Sequence, residues 1–413
     1  MVLSIRKAEE SDTEIIGSIF AVARQFMART GNPTQWGNSS PDMNLVAGDI
    51  RRKESYVIES DGKIVATFAM VKSRDPHYSA IDNGEHYLTL HRVATDGSIK
   101  GLMPLIFQWA DMHSPILRID THAANAPMLH RIEEAGFVFD GIVTMDDGSP
   151  RRAFHRRKQF DFPASDIINR LKSMQDSDQR KVLMRFFKTG PGEYGEGDEF
   201  LGLKVPQTRQ IVKEYRLKVP FHQIALMLGS EWHEVRLCAL LLLVEEMKKA
   251  QGQHASLIAD FYLDYAERAN NWDLVDLSAP YIIGEWLSRK KPDGKLPSTD
   301  ILIRLSSSEN LWRQRIAIVS TYTLIRSGIF EPTLALSKKY LTHKHDLIHK
   351  ATGWMLREMG KRDLDALRGF LDTYQKRMPR TALRYAIEKL SAEERRRRLA
   401  RLRGKRRRRN KFY

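Results

Sequence analysis

Four charged residues recur at nearly constant spacing in this 413-residue chain, and two tryptophans accompany them. The charged positions, separated by 40, 39 and 35 residues, are Arg236, Asp276, Arg315 and Lys350. Trp272 precedes Asp276 by four residues and Trp354 follows Lys350 by four, so in a helix each indole shares a face with its charged neighbour. This pattern suits a groove for an anionic, aromatic ligand. The alternative is a solvated ridge of charges whose tryptophans pack in the core.

The elements that carry this column are predicted to be helices. After Phe160 the strand-like alternation disappears, and amphipathic segments follow one another with short breaks, among them Leu274–Leu287. A repeat of 35 to 40 residues has the length of a two-helix unit. Equivalent positions of stacked units lie on one surface. We therefore expect an all-α, HEAT-like solenoid over residues 164–392, with a long loop at the Gly-rich stretch Gly190–Gly197.

The first 158 residues predict a different domain, an α/β domain with a mixed sheet. Alternating or apolar runs predict strands at Ser55–Glu59, Lys63–Val71, His86–Val93, Ile116–Asp120, Phe137–Met145 and Arg152–His155. Helical spacing marks Ile15–Thr30, Gly101–Met112 and Ala126–Ala135. The linker between the two domains is predicted at Phe160–Ala164, and residues 393–413 form a separate basic tail.

The helical part resembles AlkD-type DNA alkylation repair enzymes, which are HEAT-like-repeat DNA glycosylases. The resemblance runs from about residue 165 to 390 and rests on four motifs in order: Phe200–Pro206 with Arg209, Asn271–Asp276, Leu311–Ala317, and His349–Glu358. It implies excision of cationic 3- and 7-alkylpurines from duplex DNA. It also implies that Asp276 is the catalytic carboxylate, that Trp272 and Trp354 border the lesion nucleotide, and that Arg315 holds the DNA backbone. Phe186 takes the place of an aromatic residue that is often tyrosine in relatives.

The residue types fit this chemistry. Breaking the glycosidic bond of an alkylated purine develops positive charge on the sugar, which a carboxylate at about 3–4 Å can stabilise while it orients water. Indole faces attract such a cation by roughly 0.5–2 kcal/mol each, and a guanidinium can bind phosphate through two hydrogen bonds. Neither a metal nor a Schiff-base lysine is required, so we expect no metal site and no lyase activity. The alternative is structural: Trp272 and Trp354 could pack in the core, and Asp276 and Arg315 could form an ion pair between repeats.

The C-terminal tail predicts a DNA-binding arm. Residues 395–413 hold twelve of the lysines and arginines and no acid, which leaves a net charge of about +4 of the total +16 for the rest of the chain. Free in water the tail should be disordered, and when neutralised it could be helical. The expected DNA-binding residues are Arg236, Lys350 and Phe186 in the solenoid and Arg395, Arg396, Arg406 and Arg407 in the arm. A solubility tail without a specific partner is the alternative.

The first domain resembles GNAT acyltransferases over roughly residues 3–156. The similar segments are Leu90–Thr95, Lys100–Leu102 and Asn125–Phe137. The resemblance implies an acetyl-CoA site in which free amides at a helix N-terminus bind the pyrophosphate, with the residues Arg92, Val93, Lys100, Gly101, Leu102, Met103 and Asn125. The family's phosphate-binding signature is incomplete, because Ser98 and Met103 occupy its first and last positions. Glu85 is the first choice for the base that deprotonates the acceptor, which is a small amine or a protein, and His91 is the second.

Composition limits the remaining possibilities. With 42% hydrophobic and 29% charged residues the chain is globular, and its one cysteine, Cys238, excludes disulfides within the chain and Cys-rich metal sites. The longest apolar run, Leu237–Val244, is too short to span a bilayer, so we expect a cytoplasmic, nucleoid-associated protein without a membrane partner. Three functions stay open: a fused glycosylase, a non-catalytic DNA-binding scaffold, and an acetyltransferase whose solenoid is a docking platform.

Overall fold

The computed structural model describes residues 2–72, 75–82, 84–159, 163–290 and 294–409, the last nine of them as backbone alone. Contacts divide the chain into two compact units. The first comprises Met1–Asn169 with Lys218–Met227, and the second comprises Arg170–Leu217 with Leu228–Tyr413. Most of the predicted linker lies outside the described residues, and its last residue, Ala164, already begins a helix.

The first unit is built on a seven-stranded sheet. Its strands are β1 (Leu3–Lys7), β2 (Ser55–Ser60), β3 (Lys63–Val71), β4 (Leu88–Thr95), β5 (Ile116–Thr121), β6 (Val138–Thr144) and β7 (Pro150–Arg157). Their order across the sheet is β1-β2-β3-β4-β5-β7-β6. The β4–β5 pair is parallel and all other pairs are antiparallel. The predicted mixed sheet is confirmed, although the sequence patterns did not reveal β1, whose alternation is short.

Four helices of this unit lie between its strands along the chain: α1 (Thr13–Arg29), α2 (Met43–Arg51), α3 (Leu102–Asp111) and α4 (Ala126–Glu134). Ile16 and Phe20 of α1 and Val46 of α2 pack with Val57 and Ala94 of the sheet in one buried apolar cluster. On α3, Trp109 is completely buried. Helix α2 was not predicted, because it is short and its apolar stripe consists of a few residues, Met43, Val46 and Ile50.

The parallel strands β4 and β5 separate after a short paired stretch. They are in register over Leu88–Leu90 and Leu117–Ile119, and β4 then continues without this neighbour. Arg92 lies at the start of the divergent part with a φ of 52°, next to a register shift between β3 and β4. A bulge at this point bends β4 away from β5. The sheet therefore has a split near its centre, and α3 begins seven residues after β4 ends.

From residue 163 onward the regular elements that the structure describes are helical, apart from an isolated bridge between Glu199 and Trp232. They are α5 (Ala164–Ser173), α6 (Ser177–Phe186), α7 (Val205–Tyr215), α8 (Phe221–Leu228), α9 (His233–Lys249), α10 (Gly252–Asp264), α11 (Trp272–Asp276), α12 (Glu285–Ser288), α13 (Asp300–Ser307), α14 (Leu311–Arg326), α15 (Glu331–Lys339), α16 (Asp346–Gly360), α17 (Leu364–Tyr374), α18 (Arg380–Ala386) and α19 (Ala392–Arg409). The predicted all-α region is confirmed.

The later helices pack in two rows. Helices α14, α16 and α18 contact one another in sequence. Outside this row, α13 packs on α14, α15 packs on both α14 and α16, and α17 packs on α16. Stacked helix pairs produce this arrangement. In the same unit α9 is buried on nearly all sides, and its Cys238 is inaccessible to solvent. Burial raises the pKa of the Cys238 thiol to about 12.

One predicted helix is interrupted. The segment Leu274–Leu287 was expected to be continuous, but α11 ends at Asp276 and a π-helical turn at Pro280–Gly284 precedes α12. Proline lacks the amide that an α-helix needs at this point. Gly284 allows the turn to approach α14, since a Cβ atom there would lie 2.3 Å from the Ser320 carbonyl oxygen. The interruption leaves Asp276 at the end of a short helix.

The basic arm continues from the second unit as helix α19. The first turns of α19 are tied to the preceding helices, because Arg398 is only 4% exposed and pairs with Asp372 and Glu394. Arg406 and Arg407 belong to the stretch whose side chains lie outside the described residues. Within the described part of the chain, no helix combines the length and apolar character needed to cross a bilayer.

Candidate functional site

Asp276 and Arg315 come together where α11 packs on α14. Asp276 ends α11, and Arg315 is the fifth residue of α14. The Arg315 Nε and Nη2 atoms donate hydrogen bonds to the two Asp276 carboxylate oxygens at 3.0 and 2.8 Å. The Asp276 side chain keeps 16% of its surface exposed, whereas that of Arg315 keeps 5%. The carboxylate is therefore the part of the pair that an incoming ligand can reach.

The role expected for Arg315 needs correction. Its third nitrogen, Nη1, donates to the Leu347 carbonyl oxygen at 2.6 Å. All three nitrogens are thus bonded within the protein, and the nearly buried side chain does not present itself to a DNA phosphate. Burial raises the pKa of the Asp276 carboxyl, and the Arg315 guanidinium opposes that rise. Arg315 orients Asp276 and helps to keep it ionised.

Trp272 begins α11, one turn before Asp276, and lies in a cluster of aromatic rings. Asn271 caps the helix by accepting a hydrogen bond from the Trp272 amide at 2.8 Å. Phe187 stacks on Trp272 with ring centroids 5.4 Å apart, and Phe186 meets it edge-on at 5.9 Å. Phe186 is 59% exposed, so its ring is open to solvent beside Trp272. Phe186 and Trp272 therefore lie together and present an accessible aromatic surface.

Tyr194 is a candidate residue that the sequence patterns did not reveal. It lies in the Gly-rich loop between α6 and α7, where its ring packs edge-on against Trp312 at 6.2 Å. Burial raises the pKa of the Tyr194 hydroxyl, and the nearby Trp272 side chain and Lys350 ammonium group act in the opposite direction. Gly195 holds the loop close to α6, because a Cβ atom there would lie 2.5 Å from the Phe187 carbonyl oxygen. An aromatic residue among many glycines was the signal available in the sequence.

Lys350 and Trp354 lie on α16. The Lys350 ammonium group pairs with Asp346 at 3.0 Å. Because the Lys350 side chain is 42% exposed, this ammonium group can also reach an anion in solution. Trp354 is half-buried, and its ring lies 6.0 Å from that of Tyr322. Helix α16 joins the Asp276 site through the hydrogen bond that Leu347 accepts from Arg315. Trp354 is thus on a helix that contacts the site, one turn beyond Lys350.

Arg236 does not join this surface, which corrects the expectation that it binds DNA. It is 2% exposed and forms an ion pair with Asp198. Its Nη1 atom also donates to the carbonyl oxygens of Ser230 and Glu231 at 2.8 and 2.7 Å. The buried Arg236 guanidinium therefore holds the end of the Gly-rich loop in place through its ion pair with Asp198.

A buried histidine holds the same loop to α11. His233 bonds Asp198 through Nδ1 at 2.8 Å and Asp273 through Nε2 at 2.9 Å. Burial acts to lower the pKa of His233, but the carboxylates of Asp273 and Asp198 outweigh it and raise the pKa to about 9. The protonated ring therefore donates to both carboxylates. It links the loop that carries Tyr194 with the helix that carries Trp272 and Asp276.

The motif Phe200–Pro206 has a structural explanation. The buried carboxylate of Glu234 accepts hydrogen bonds from the amides of Leu201, Gly202 and Leu203 at 2.8 to 3.0 Å. These contacts fix the chain where the Gly-rich loop enters α7. The motif thus supports the site without contributing to its accessible surface.

In the first unit, the split between β4 and β5 is the candidate cofactor site. Val93 lies in the divergent part of β4, and Lys100 and Gly101 lead into the first turn of α3 at Leu102 and Met103. Gly101 has a φ of 80°, which favours glycine. The Arg92 side chain is paired with Asp49 at 2.7 Å, so only its backbone is available to a ligand. The diverging strands and the glycine before α3 fit a bound CoA. Met103 does not, because it is larger than the small residue that the related signature has at this position.

Two residues expected at this site are committed elsewhere. Asn125 is 9% exposed, caps α4 by accepting from the Met128 amide, and donates to Gln35 at 3.0 Å. Its side chain therefore does not face a cofactor. Glu85 precedes β4 rather than starting it, and pairs with Arg157. Because Arg157 already holds the Glu85 carboxylate, the assignment of Glu85 as the base is weakened.

His91 is better placed than Glu85 for proton transfer. It directly follows the last residue of β4 that pairs with β5. Its Nε2 atom lies 3.2 Å from Asp75, and its Nδ1 atom lies 3.8 Å from Asp120 on the facing strand. Carboxylates on both sides orient the imidazole at the entrance of the split.

Comparison with known proteins assigns the second unit to a family. A family model described as DNA alkylation repair enzyme matches residues 167–390, more than half of the chain. The chain belongs to this family. No curated protein matches it in sequence. Among solved structures, a predicted DNA alkylation repair enzyme from Enterococcus faecalis is 16% identical, with 53% of this chain and 97% of that one covered and a TM-score of 0.41.

Other solved structures are similar to the N-terminal part of this DNA alkylation repair family member. A GNAT-family acetyltransferase from Streptococcus agalactiae is 28% identical, covering 38% of this chain and 96% of that one, with a TM-score of 0.35. A candidate acetyltransferase from Salmonella typhimurium, solved with its cofactor acetyl-CoA, is 14% identical, covering 38% of this chain and 94% of that one, with a TM-score of 0.29. The predicted combination of a GNAT-like part and a DNA alkylation repair part agrees with these matches.

Proposed function

We propose that the second unit is a DNA glycosylase that hydrolyses the N-glycosidic bond of cationic 3- and 7-alkylpurines in duplex DNA, without lyase activity. The observation that carries the proposal is the Asp276 carboxylate, which Arg315 orients through two hydrogen bonds while leaving it accessible beside Trp272. Membership of the DNA alkylation repair family supports it. The functional division we propose is 1–158, 164–392 and 393–413, in a cytoplasmic, nucleoid-associated protein.

The proposed reaction follows from the charges involved. The bond between C1′ and the purine nitrogen breaks, and its electron pair passes to the purine, which becomes neutral. Asp276 stabilises the positive charge that develops on the sugar, and it accepts a proton from the water that attacks C1′. The faces of Trp272 and Trp354 attract the cationic nucleotide. Arg315 acts through Asp276, and Lys350 is placed for a phosphate contact.

The decisive experiment measures release of free 7-methylguanine from methylated duplex DNA. We expect release by the wild-type protein and a loss of at least about 100-fold in Asp276→Asn, because the neutral amide cannot stabilise the sugar cation. Asp365→Asn is the matched control, since Asp365 is 95% exposed on α17, and it should behave like wild type. DNA binding without base release by the wild type would refute the proposal and favour a non-catalytic scaffold.

A second activity, N-acetyl transfer in the first unit, is favoured by the split between β4 and β5. Acetyl-CoA, when bound, would supply the acetyl group. The Val93 backbone and the amides at Leu102 and Met103 would hold it, with Lys100 beside them, and the acceptor would be a small amine or a protein. His91 would take the proton of the acceptor. Isothermal titration with acetyl-CoA tests this activity directly, and absence of binding would exclude it while leaving the glycosylase proposal intact.

A further inference from the structure

A basic pocket beside the Asp276 site has no role in the chemistry described so far. It lies between α13, the end of α15 and the loop that leads into α16, and has a volume of about 360 Å³. Its polar lining consists of Ser306, Lys339, Tyr340, Thr342, His343, Lys344 and His345. The lining contains ammonium, imidazole and hydroxyl groups and no carboxylate. Such a lining suits an anion.

The two lysines are available for a ligand. Lys339 Nζ donates to the Ser306 and Ser307 hydroxyl oxygens at 2.8 and 2.5 Å. Lys344 is exposed. In the part of the chain that the structure describes, no carboxylate lies within ion-pair distance of either ammonium group. The nearby Asp346 carboxylate is instead paired with Lys350 at 3.0 Å. The positive charge of the pocket is therefore not neutralised within the protein.

The loop that forms the pocket is held in place. His343 bonds the Gln314 side chain through Nε2 at 2.8 Å and accepts from the His345 amide through Nδ1 at 3.0 Å. His349 donates to the His343 carbonyl oxygen at 2.5 Å. A loop fixed in this way loses little conformational freedom when it binds a ligand.

His345 adds a directed donor. Its Nδ1 atom accepts a hydrogen bond from the Leu347 amide at 3.2 Å. Burial and the nearby cations Arg315 and Lys350 lower the pKa of His345, against the effect of Asp346. The neutral ring therefore carries its hydrogen on Nε2, where it can donate to a ligand.

The pocket and the Asp276 site share the N-terminal part of α14. Gln314 holds the loop of the pocket, and the next residue, Arg315, orients the Asp276 carboxylate. Arg315 also bonds Leu347, two residues beyond His345. A group bound in the pocket is therefore placed beside a nucleotide that faces Asp276.

We propose that this pocket binds one backbone phosphate of the DNA strand that contains the lesion, through Lys339, Lys344 and His345. The inference rests on the proposed glycosylase function, and it names a contact that sets the register of the substrate. Phosphate contacts of this kind position a protein on DNA independently of sequence. In this assignment the pocket supplies the phosphate contact that Arg315 cannot make.

The test measures the binding of duplexes in which a single phosphate is replaced by an uncharged methylphosphonate, with an abasic analogue in place of the lesion. We expect that replacement at one linkage near the analogue weakens wild-type binding roughly 10-fold. This factor corresponds to the loss of one charged contact of about 1.4 kcal/mol. In Lys339→Gln/Lys344→Gln the same replacement should change affinity less than about 2-fold, since the contact is already lost. Lys338→Gln is the matched control, because it removes an equal charge from the adjacent, exposed position, and should keep the wild-type pattern.

The outcomes separate this inference from the proposed function. An unchanged linkage pattern in the double variant, or an equal loss in Lys338→Gln, overturns the pocket even if base release is normal. Absence of base release with the expected linkage pattern overturns the glycosylase and leaves the pocket. Inorganic phosphate is compared with chloride at equal ionic strength; if micromolar phosphate displaces DNA from the wild type but not from the double variant, the pocket binds a small anion instead.

Discussion

At the scale of single residues, the site depends on one carboxylate whose environment acts in two directions. Burial of Asp276 favours its neutral form, and the two hydrogen bonds from Arg315 favour the charged form. The reaction needs the charged form, because only that form stabilises a cationic sugar. Arg315 is thus a positioning residue whose effect should be visible in the pH dependence of the reaction.

Arg315→Gln should lower single-turnover base release by roughly 10- to 100-fold, the effect of losing charged hydrogen bonds of about 1.5–3 kcal/mol. Without the guanidinium the pKa of Asp276 rises further, so activity should fall at a higher pH on the acidic side than in wild type. Arg313→Gln, on the same helix but paired with Glu267 at 3.4 Å, is the control. An unchanged pH profile in Arg315→Gln would contradict this role.

Tyr194 should contribute to lesion binding through both its ring and its hydroxyl group. Tyr194→Ala should reduce base release about 10-fold and Tyr194→Phe about 3-fold, because an aromatic contact and a hydrogen bond are each worth about 0.5–1.5 kcal/mol. Tyr281→Ala, which alters a 40% exposed tyrosine in the π-helical turn, should have little effect. Wild-type rates in Tyr194→Ala would remove this residue from the site.

At the scale of elements, a charged network joins the Gly-rich loop to α9 and α11. His233 bonds Asp198 of the loop and Asp273 of α11, and Arg236 adds a second bond to Asp198. The loop carries Tyr194, and α11 carries Trp272 and Asp276. The relative position of these three residues therefore depends on the charge of one imidazole.

This network predicts that stability falls in alkaline solution. The pKa of His233 is about 9 in the folded protein and about 6.5 in the unfolded chain. Its protonation contributes up to about 3 kcal/mol to the free energy of unfolding. This contribution should be complete below pH 6.5 and lost as the pH rises through 9. Urea unfolding followed by tryptophan emission reports this loss, since five of the seven tryptophans lie in the second unit. His233→Gln should lack the dependence, His130→Gln on α4 should retain it, and a flat wild-type profile would contradict the assignment.

The sequence predicted elements better than it predicted which side chains are accessible. Repeat spacing placed Asp276 and Arg315 in one column, and the structure joins them. The same spacing put Arg236 in that column, but its partner Asp198 is 38 residues away in a loop, and local periodicity carries no information about such a contact. Tyr194 was missed for the same reason, since the loop reaches Trp272 through tertiary packing. Pro280 was a sequence signal for a helix break. The apolar spacing on both sides of it nevertheless led to the prediction of one continuous helix.

At the scale of the whole molecule, the basic arm begins inside the fold and ends as a chain of positive charges. Glu394 and Arg398 are buried, and they pair with Arg368 and Asp372 of α17. Eight lysines and arginines follow in residues 401–413. The arm thus has an anchored first part, expected to serve stability, and a charged remainder, expected to serve DNA binding.

Two truncations should separate these roles. Removal of residues 401–413 should leave thermal stability unchanged but weaken binding to duplex DNA and flatten its dependence on salt, because each lost phosphate contact reduces the slope by about 0.9. Removal of residues 392–413 should also lower the melting temperature, since Arg368 and Asp372 lose their partners. Equal salt slopes for the full chain and the shorter truncation would show that the arm does not bind DNA.

The complete burial of Cys238 has a practical consequence for labelling. With its thiol inaccessible and its pKa near 12, the native chain is inert toward maleimide reagents. A cysteine introduced at an accessible position would be the single point of attachment for a fluorophore or a spin label, without prior removal of any native residue. Distances from such probes to labelled oligonucleotides could then report how a duplex docks on the unaltered protein.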